Sequence, residues 1–310
     1  MKKKRRFISV LLCAAMLLGS MPAYFAGAED AGTELETEEF SEQVLQADSD
    51  LSASVNEGLL AHLKFDDTVD DATGKGTPVL EGSATYEQGI NGKAIRFDGA
   101  SADNNSNRVE LTGRDDLKFG EGDAFSVGFW YKADKTLSDN NIIGSKSWSN
   151  AANEGWNIAL AGTKMNISPI SRSKESDIQC TIEGINGSGK WMYAVITRTA
   201  DAQNALYIDG KKVSTSARGK GSTGTKPVGN VCIGADYEGK YGPGNAVALD
   251  EVKMWNRALT AVEVQYLYQT SPEITAMSVS GPTTATVGES DTTVTLNAKV
   301  TKAVFGETEP

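Results

Sequence analysis

The chain has 310 residues, with 41 Asp and Glu against 30 Lys and Arg, one His and a formal net charge of −11. Nucleic-acid binding rests on neutralising phosphates with Lys and Arg, so this balance argues against a nucleic-acid partner. A single histidine cannot build a His-rich zinc site, and a Ser-His-Asp triad would depend on His62 without a nucleophile-elbow motif beside it.

Residues 1–28 read as an export signal. Lys2, Lys3, Lys4, Arg5 and Arg6 are cationic, Phe7 to Leu18 are apolar, and Ala26-Gly27-Ala28 offers a small-x-small cleavage site. The apolar run is short for a bilayer, so no membrane insertion is expected after cleavage. A lipoprotein anchor at Cys13 is the rival reading, but Leu11 and Leu12 stand where a small residue would be wanted. Cleavage takes the net charge from −11 to −16, because the segment holds no acid. Residues 29–57 carry ten acids and no Lys or Arg. A stretch so charged cannot bury enough apolar surface to offset its ordering entropy, and is predicted to be a disordered acidic linker. It acts as a spacer, with calcium buffering or a basic partner as alternatives.

Residues 58–270 alternate apolar and polar side chains in short runs broken by Gly, Asn and Asp. Leu60–Phe65, Ala94–Phe97, Phe125–Tyr131, Met192–Thr197 and Ala205–Ile208 all show this period of two, which predicts half-buried strands. One helix is predicted, over Ala261–Tyr268, with Thr260 as N-cap and Glu263 three residues on. The run is long enough for one all-β sandwich with a real core. Cys180 and Cys232 fall in alternating strands; a buried unpaired thiol and a disulfide are both open. No phosphate-cradling glycine loop precedes a helix.

Six segments in order resemble the laminin G-like, concanavalin A-like jelly roll. They are Leu63-Lys64-Phe65-Asp66-Asp67 with Asp71-Ala72-Thr73-Gly74, then Gly92 to Gly99, Phe125 to Trp130, Trp191 to Ile196, Leu206 to Lys211, and Ala248 to Thr260. The resemblance implies a two-sheet antiparallel jelly-roll sandwich with a short C-terminal helix. Ile142 to Trp148 with Asn153-Glu154-Gly155-Trp156 is similar to members found in bacterial surface proteins and secreted hydrolases, including some phosphoesterases. From residue 271 to 310 the composition shifts. Ile274–Pro282 and Thr292–Val300 resemble the first two strands of a bacterial immunoglobulin-like domain, which usually needs about a hundred residues. A longer parent polypeptide is expected, with any catalytic domain beyond residue 310.

Glycosidases of this fold use two carboxylates across a cleft. The nearest approach here is Asp250-Glu251, whose positions in a strand should point to opposite faces, so no acid pair and no catalysis are expected of this domain. The resemblance instead implies a structural Ca²⁺ on Asp66 and Asp250, with Asp67 as third ligand, if the first and last strands pair. The alternative is that Asp66 and Asp250 cap strand ends or pair with Lys64 or Arg257. For ligand contact, flat side chains that stack on sugar rings are the feature to weigh. Trp130, Trp191 and Trp255 are expected in the core. Trp148 and Trp156, in or beside the Ser145–Gly155 loop, and Tyr237 and Tyr241, in a glycine-spaced loop, are the candidates, because loops on a rigid sandwich carry binding residues. The expectation is a secreted, extracellular or cell-surface protein whose jelly roll binds a carbohydrate or glycoconjugate. Adhesion to a surface protein, a spacer role, or service as the N-terminal part of a secreted hydrolase are the alternatives.

Overall fold

The computed structural model describes residues 48–98, 107–120, 122–137, 140–147, 155–161, 164–169, 178–181, 187, 189–216, 229–271, 274–280 and 297–302. The signal-like segment 1–28 and the acidic stretch up to residue 47 lie outside them.

Alternation builds two antiparallel sheets. The first holds β1 (Leu59–Leu63), β3 (Ala84–Gln88), β4 (Lys93–Phe97), β6 (Phe125–Ala133), β11 (Trp191–Arg198), β12 (Asn204–Ile208), β13 (Lys211–Ser216) and β15 (Val247–Trp255). Its order is β13-β12-β11-β6-β15-β4-β3, with β1 also paired to β15. The second holds β2 (Thr77–Glu81), β5 (Arg108–Thr112), β7 (Asn140–Gly144), β8 (Trp156–Ala161), β9 (Lys164–Pro169), β10 (Ile178–Thr181) and β14 (Val231–Ile233), in the order β10-β9-β8-β7-β14-β5-β2. Val127, Phe129 and Tyr131 of β6, with Leu249 and Val252 of β15, meet Val109 and Leu111 of β5 and Ile158 and Leu160 of β8 in one buried core. This is the sandwich that the alternation predicted.

A second apolar cluster sits on the outside of the first sheet. Trp130, Tyr193, Val195 and Trp255 pack there against Leu259, Val264 and Leu267. The last two belong to α2 (Ala261–Thr270), counted after the short helical stretch α1 over residues 48–54. Thr260 Oγ1 accepts from Glu263 N, and the Glu263 carboxylate accepts from Thr260 N, so a complete capping box starts α2 where expected. Trp130, Trp191 and Trp255 are buried, as the strand pattern predicted.

The acidic stretch does not stay solvated to residue 57. Val55 is buried in the second cluster, and Trp255 Nε1 donates to Val55 O at 2.8 Å. Arg257 donates to Ser54 O at 2.5 Å and to Glu57 O at 2.8 Å. Composition pointed to disorder here. Three backbone carbonyls captured by the far end of the chain override it. Beyond α2, β16 (Ile274–Ser280) and β17 (Asn297–Lys302) pair antiparallel as a separate two-stranded sheet. No helix among the described residues is long and apolar enough to cross a membrane.

Candidate functional site

The four aromatic candidates separate. Trp148 lies outside the described residues. Trp156 is no platform: it is 1% exposed and packs into the core, with ring centroids 5.8 Å from Phe125 and 6.3 Å from Phe119. As the first residue of β8 it shares the inward parity of Ile158 and Leu160, which its neighbouring Gly155 concealed. Tyr237 and Tyr241 remain partly exposed on one loop that follows β14.

That loop is closed from inside. Asp236 is buried, and its Oδ1 accepts from Lys240 N at 2.8 Å and Tyr241 N at 3.2 Å. The Tyr237 ring lies on Gly229, where a Cβ would stand 2.5 Å from the ring's Cγ. The Glu238 carboxylate then gathers three donors. Ser147 Oγ, just after β7, donates at 3.1 Å; the Tyr237 hydroxyl donates at 3.3 Å; Lys240 Nζ stands 3.0 Å away. The hydrogen bond from Lys240 holds the Glu238 carboxyl below its usual range against the opposing effect of burial, with Ser147 adding to it. Burial, and then the Glu238 charge, push the Tyr237 hydroxyl up.

Behind this rim lies the outer face of the second sheet. Register places Val79, Glu110, Cys232, Gly144 and Asn157 in one row across β2, β5, β14, β7 and β8. The Asn157 amide occupies the space that a side chain on Gly144 would need: a Cβ there would stand 1.8 Å from Asn157 Oδ1. Asn157 Nδ2 donates to Lys146 O at 3.1 Å, but its buried Oδ1 has no partner, and neither has either amide atom of buried Asn141. A buried polar atom left without a partner costs about 1–3 kcal/mol. Glu110 accepts from Asn230 at 2.7 Å and faces Arg108 at 3.6 Å. Cys232 is a free, buried thiol, pushed up to about 12 by burial, so it forms no disulfide. Sequence reasoning singled out neither Asn141 nor Asn157. The available signal was their polar character in strands flanking the apolar Ile142-Ile143 pair.

The acids expected to share a cation lie at the opposite sheet, Asp250 on β15 and Asp66 and Asp67 in the loop after β1. β15 is paired along one edge first with β4 and then with β1, and the bulge between Asp250 and Lys253 marks the change of partner. At this junction buried Asp250 Oδ2 accepts from Ile90 N at 2.7 Å and Asn91 N at 3.1 Å, while Asp66 Oδ1 accepts from Lys93 N at 2.8 Å. The two carboxylates thus hold the two flanks of the turn between β3 and β4. Gly89 is required there, since a Cβ would stand 2.5 Å from Asp250 Oδ2 and 2.8 Å from Lys93 C. Burial pushes the Asp250 carboxyl up to about 8, and its Oδ1 is buried without a partner. That oxygen suits a hard cation. No group of three or more His, Cys, Asp or Glu able to hold a metal occurs among the described residues, so exposed Asp67 does not join Asp66 and Asp250 as a third acid.

Glu251 breaks the expected alternation. It takes φ 50° in the bulge and reaches His62 Nε2 and Lys253 Nζ, each at 2.8 Å. Burial would raise its carboxyl, but the hydrogen bond from His62 and the Lys253 charge hold it at about 2. The single histidine thus sits half-buried beside β15, bonded to Glu251.

Among known structures, the chain resembles the binding domain of botulinum neurotoxin DC in complex with rat synaptotagmin II, with TM-score 0.56 and 18% identity over 70% of this chain and 52% of that one. It also resembles botulinum neurotoxin type C, which enters cells through interaction with two ganglioside molecules, with TM-score 0.58 and 17% identity over 72% and 53%. A third is the botulinum neurotoxin DC binding domain in complex with SialylT, with TM-score 0.56 and 16% identity over 70% and 52%. At such identities the likeness is one of fold, and the chain spans about half the length of these relatives. No curated protein matches it. The sandwich is matched in sequence as well: residues 103–265, more than half of the chain, fit one family, and the chain belongs to the concanavalin A-like lectin/glucanases superfamily.

Proposed function

We propose that the chain is a non-catalytic recognition module that binds carbohydrate at the Tyr237–Tyr241 rim, within an exported or cell-surface protein. The observation that carries this reading is the partly exposed Tyr237 ring set beside an ionised carboxylate and hydroxyl donors on a rigid sandwich. A sugar presents an apolar C–H face to an aromatic ring and edge hydroxyls to polar partners, and this rim offers both. The glycan ligands of the botulinum relatives add support, and the synaptotagmin complex supports a protein partner as the second reading. The acids of β15 support binding over catalysis: Asp250 is held by turn amides, and Glu251 by His62 and Lys253.

A structural calcium is part of the same proposal. Asp250, through its unpartnered Oδ1, and Asp66 would hold it beside the turn between β3 and β4. The ion would neutralise a buried carboxylate that otherwise needs a proton.

The test is binding of the full chain to a broad glycan panel, with and without chelator, alongside its melting temperature. Saturable binding that Tyr237→Ala or Tyr241→Ala abolishes at unchanged melting temperature is expected. Chelator should lower the melting temperature, and calcium should restore it. A folded protein that binds no glycan overturns the carbohydrate reading and leaves the protein partner. A melting temperature indifferent to chelator overturns the calcium site.

A further inference from the structure

The contacts around Glu238 bear on which glycans the rim accepts, an inference that rests on the carbohydrate reading. Ser147 Oγ, the Tyr237 hydroxyl and Lys240 Nζ form a donor set that would suit the carboxylate of an acidic sugar. The chain fills that set with a carboxylate of its own. Two members come from the loop after β14, and Ser147 comes from the segment just after β7, 91 residues away in sequence from Glu238. The arrangement is therefore tertiary and does not follow from neighbours in one turn.

Among the described residues, two cations stand near the rim. Lys240 is spent on Glu238, and Lys146 is buried. Over the whole chain the net charge is −11. A ligand carboxylate arriving at the rim would meet Glu238 at close range, where like charges repel strongly in a partly desolvated site. A neutral sugar meets no such barrier. One of its hydroxyls can donate to the lone pair that the three protein donors leave on Glu238, since a carboxylate has about four acceptor sites.

We propose that Glu238 is the specificity-determining residue of this rim, excluding acidic sugars by occupying the carboxylate position itself and selecting uncharged glycans. Exclusion by a placed repulsive group is a general route to selectivity. It also separates this chain from the relative seen in complex with SialylT, although the two share a fold.

The experiment compares matched glycans with and without a terminal sialic acid, binding to the full wild-type chain, to Glu238→Gln and to Lys240→Ala. Wild type is expected to bind the neutral members at least about tenfold more tightly, the effect of one unfavourable charge contact. Glu238→Gln keeps one acceptor oxygen, enough for Ser147 or Tyr237 but not both, removes the charge, and should bring the ratio down to about threefold or less by gaining the sialylated members. Lys240→Ala removes an exposed cation and one of the three donors to Glu238 while leaving the carboxylate itself in place, and should widen the ratio. It keeps the test decisive if Glu238→Gln does not fold. Sialylated glycans bound as tightly as neutral ones by wild type, or a ratio unmoved in the variants, would overturn the inference while leaving carbohydrate binding intact. A folded wild type that binds neither series overturns the carbohydrate reading and this inference with it.

Discussion

Glu263 closes the ring of contacts that joins the two ends of the jelly roll, and its removal gives the sharpest test of that arrangement. Its carboxylate accepts from Arg257 at 2.7 and 3.1 Å, from Ser54 Oγ at 2.6 Å, and from Thr260 N at 2.8 Å. Glu263→Ala leaves the Arg257 guanidinium, 27% exposed, without its carboxylate. Breaking a buried pair from one side costs about 3–5 kcal/mol, and the partial exposure of Arg257 argues for the lower end. The Thr260 hydroxyl still caps the backbone N–H at position 263, so the helix cap itself survives. About 3 kcal/mol should therefore be lost, or roughly 6–12 °C in melting temperature for a domain of ~200 residues. Urea unfolding should show a lower midpoint at an unchanged m value. Helix α1 should also become more open to protease, because Ser54 Oγ loses its acceptor and only the Arg257 bond to Ser54 O is left at that residue. The pH dependence follows from the same contacts. Burial would raise the Glu263 carboxyl, but Arg257, Ser54 and Thr260 bring it from 4.5 down to about 2. A carboxyl lowered on folding stabilises fully above its unfolded value and loses that contribution as pH falls through the folded one. The advantage of wild type over Glu263→Gln should therefore be full above about pH 5 and fade towards pH 2. A loss under about 1 kcal/mol, or a wild-type advantage that does not change between these pH values, would refute the reasoning.

Gly144→Ala places a Cβ 1.8 Å from Asn157 Oδ1 and 2.7 Å from Trp156 O. The amide can turn away but the carbonyl cannot, so a loss of about 2 kcal/mol or more is expected in chemical denaturation; an unchanged midpoint would show that β7 and β8 are not so closely apposed. Native Cys232 should resist a thiol reagent at pH 8 and react once urea unfolds the chain, since burial pushes it up to about 12. Trp255→Phe removes the 2.8 Å bond to Val55 O while keeping most of the apolar bulk. It should cost about 1–3 kcal/mol and speed amide exchange in residues 48–54 more than in β6; equal acceleration in both would mean that α1 is not held separately.

The strands were legible because one face of each is buried, which imposes a period of two on the sequence, and α2 because its start is written locally in Thr260 and Glu263. What escaped is what depends on register. Asp250 and Glu251 look like neighbours on opposite faces, but β15 must change partner between β4 and β1 at this point. The resulting bulge sends Glu251 to His62 and Lys253. Trp156 looked loop-borne, and its place in β8, paired with β7 and β9, turns it inward. Residues 48–57 have the composition of a disordered segment and are ordered by Trp255 and Arg257, some two hundred positions away. Glu238 follows the same rule at the candidate site. The loop drew attention through its tyrosines, whereas its carboxylate acquires meaning from Ser147 just after another strand. Local pattern thus carries the elements. The charge that a ligand meets is set by which strand ends the fold brings together, and that is why a shared jelly roll at 16–18% identity leaves ligand choice to be argued residue by residue.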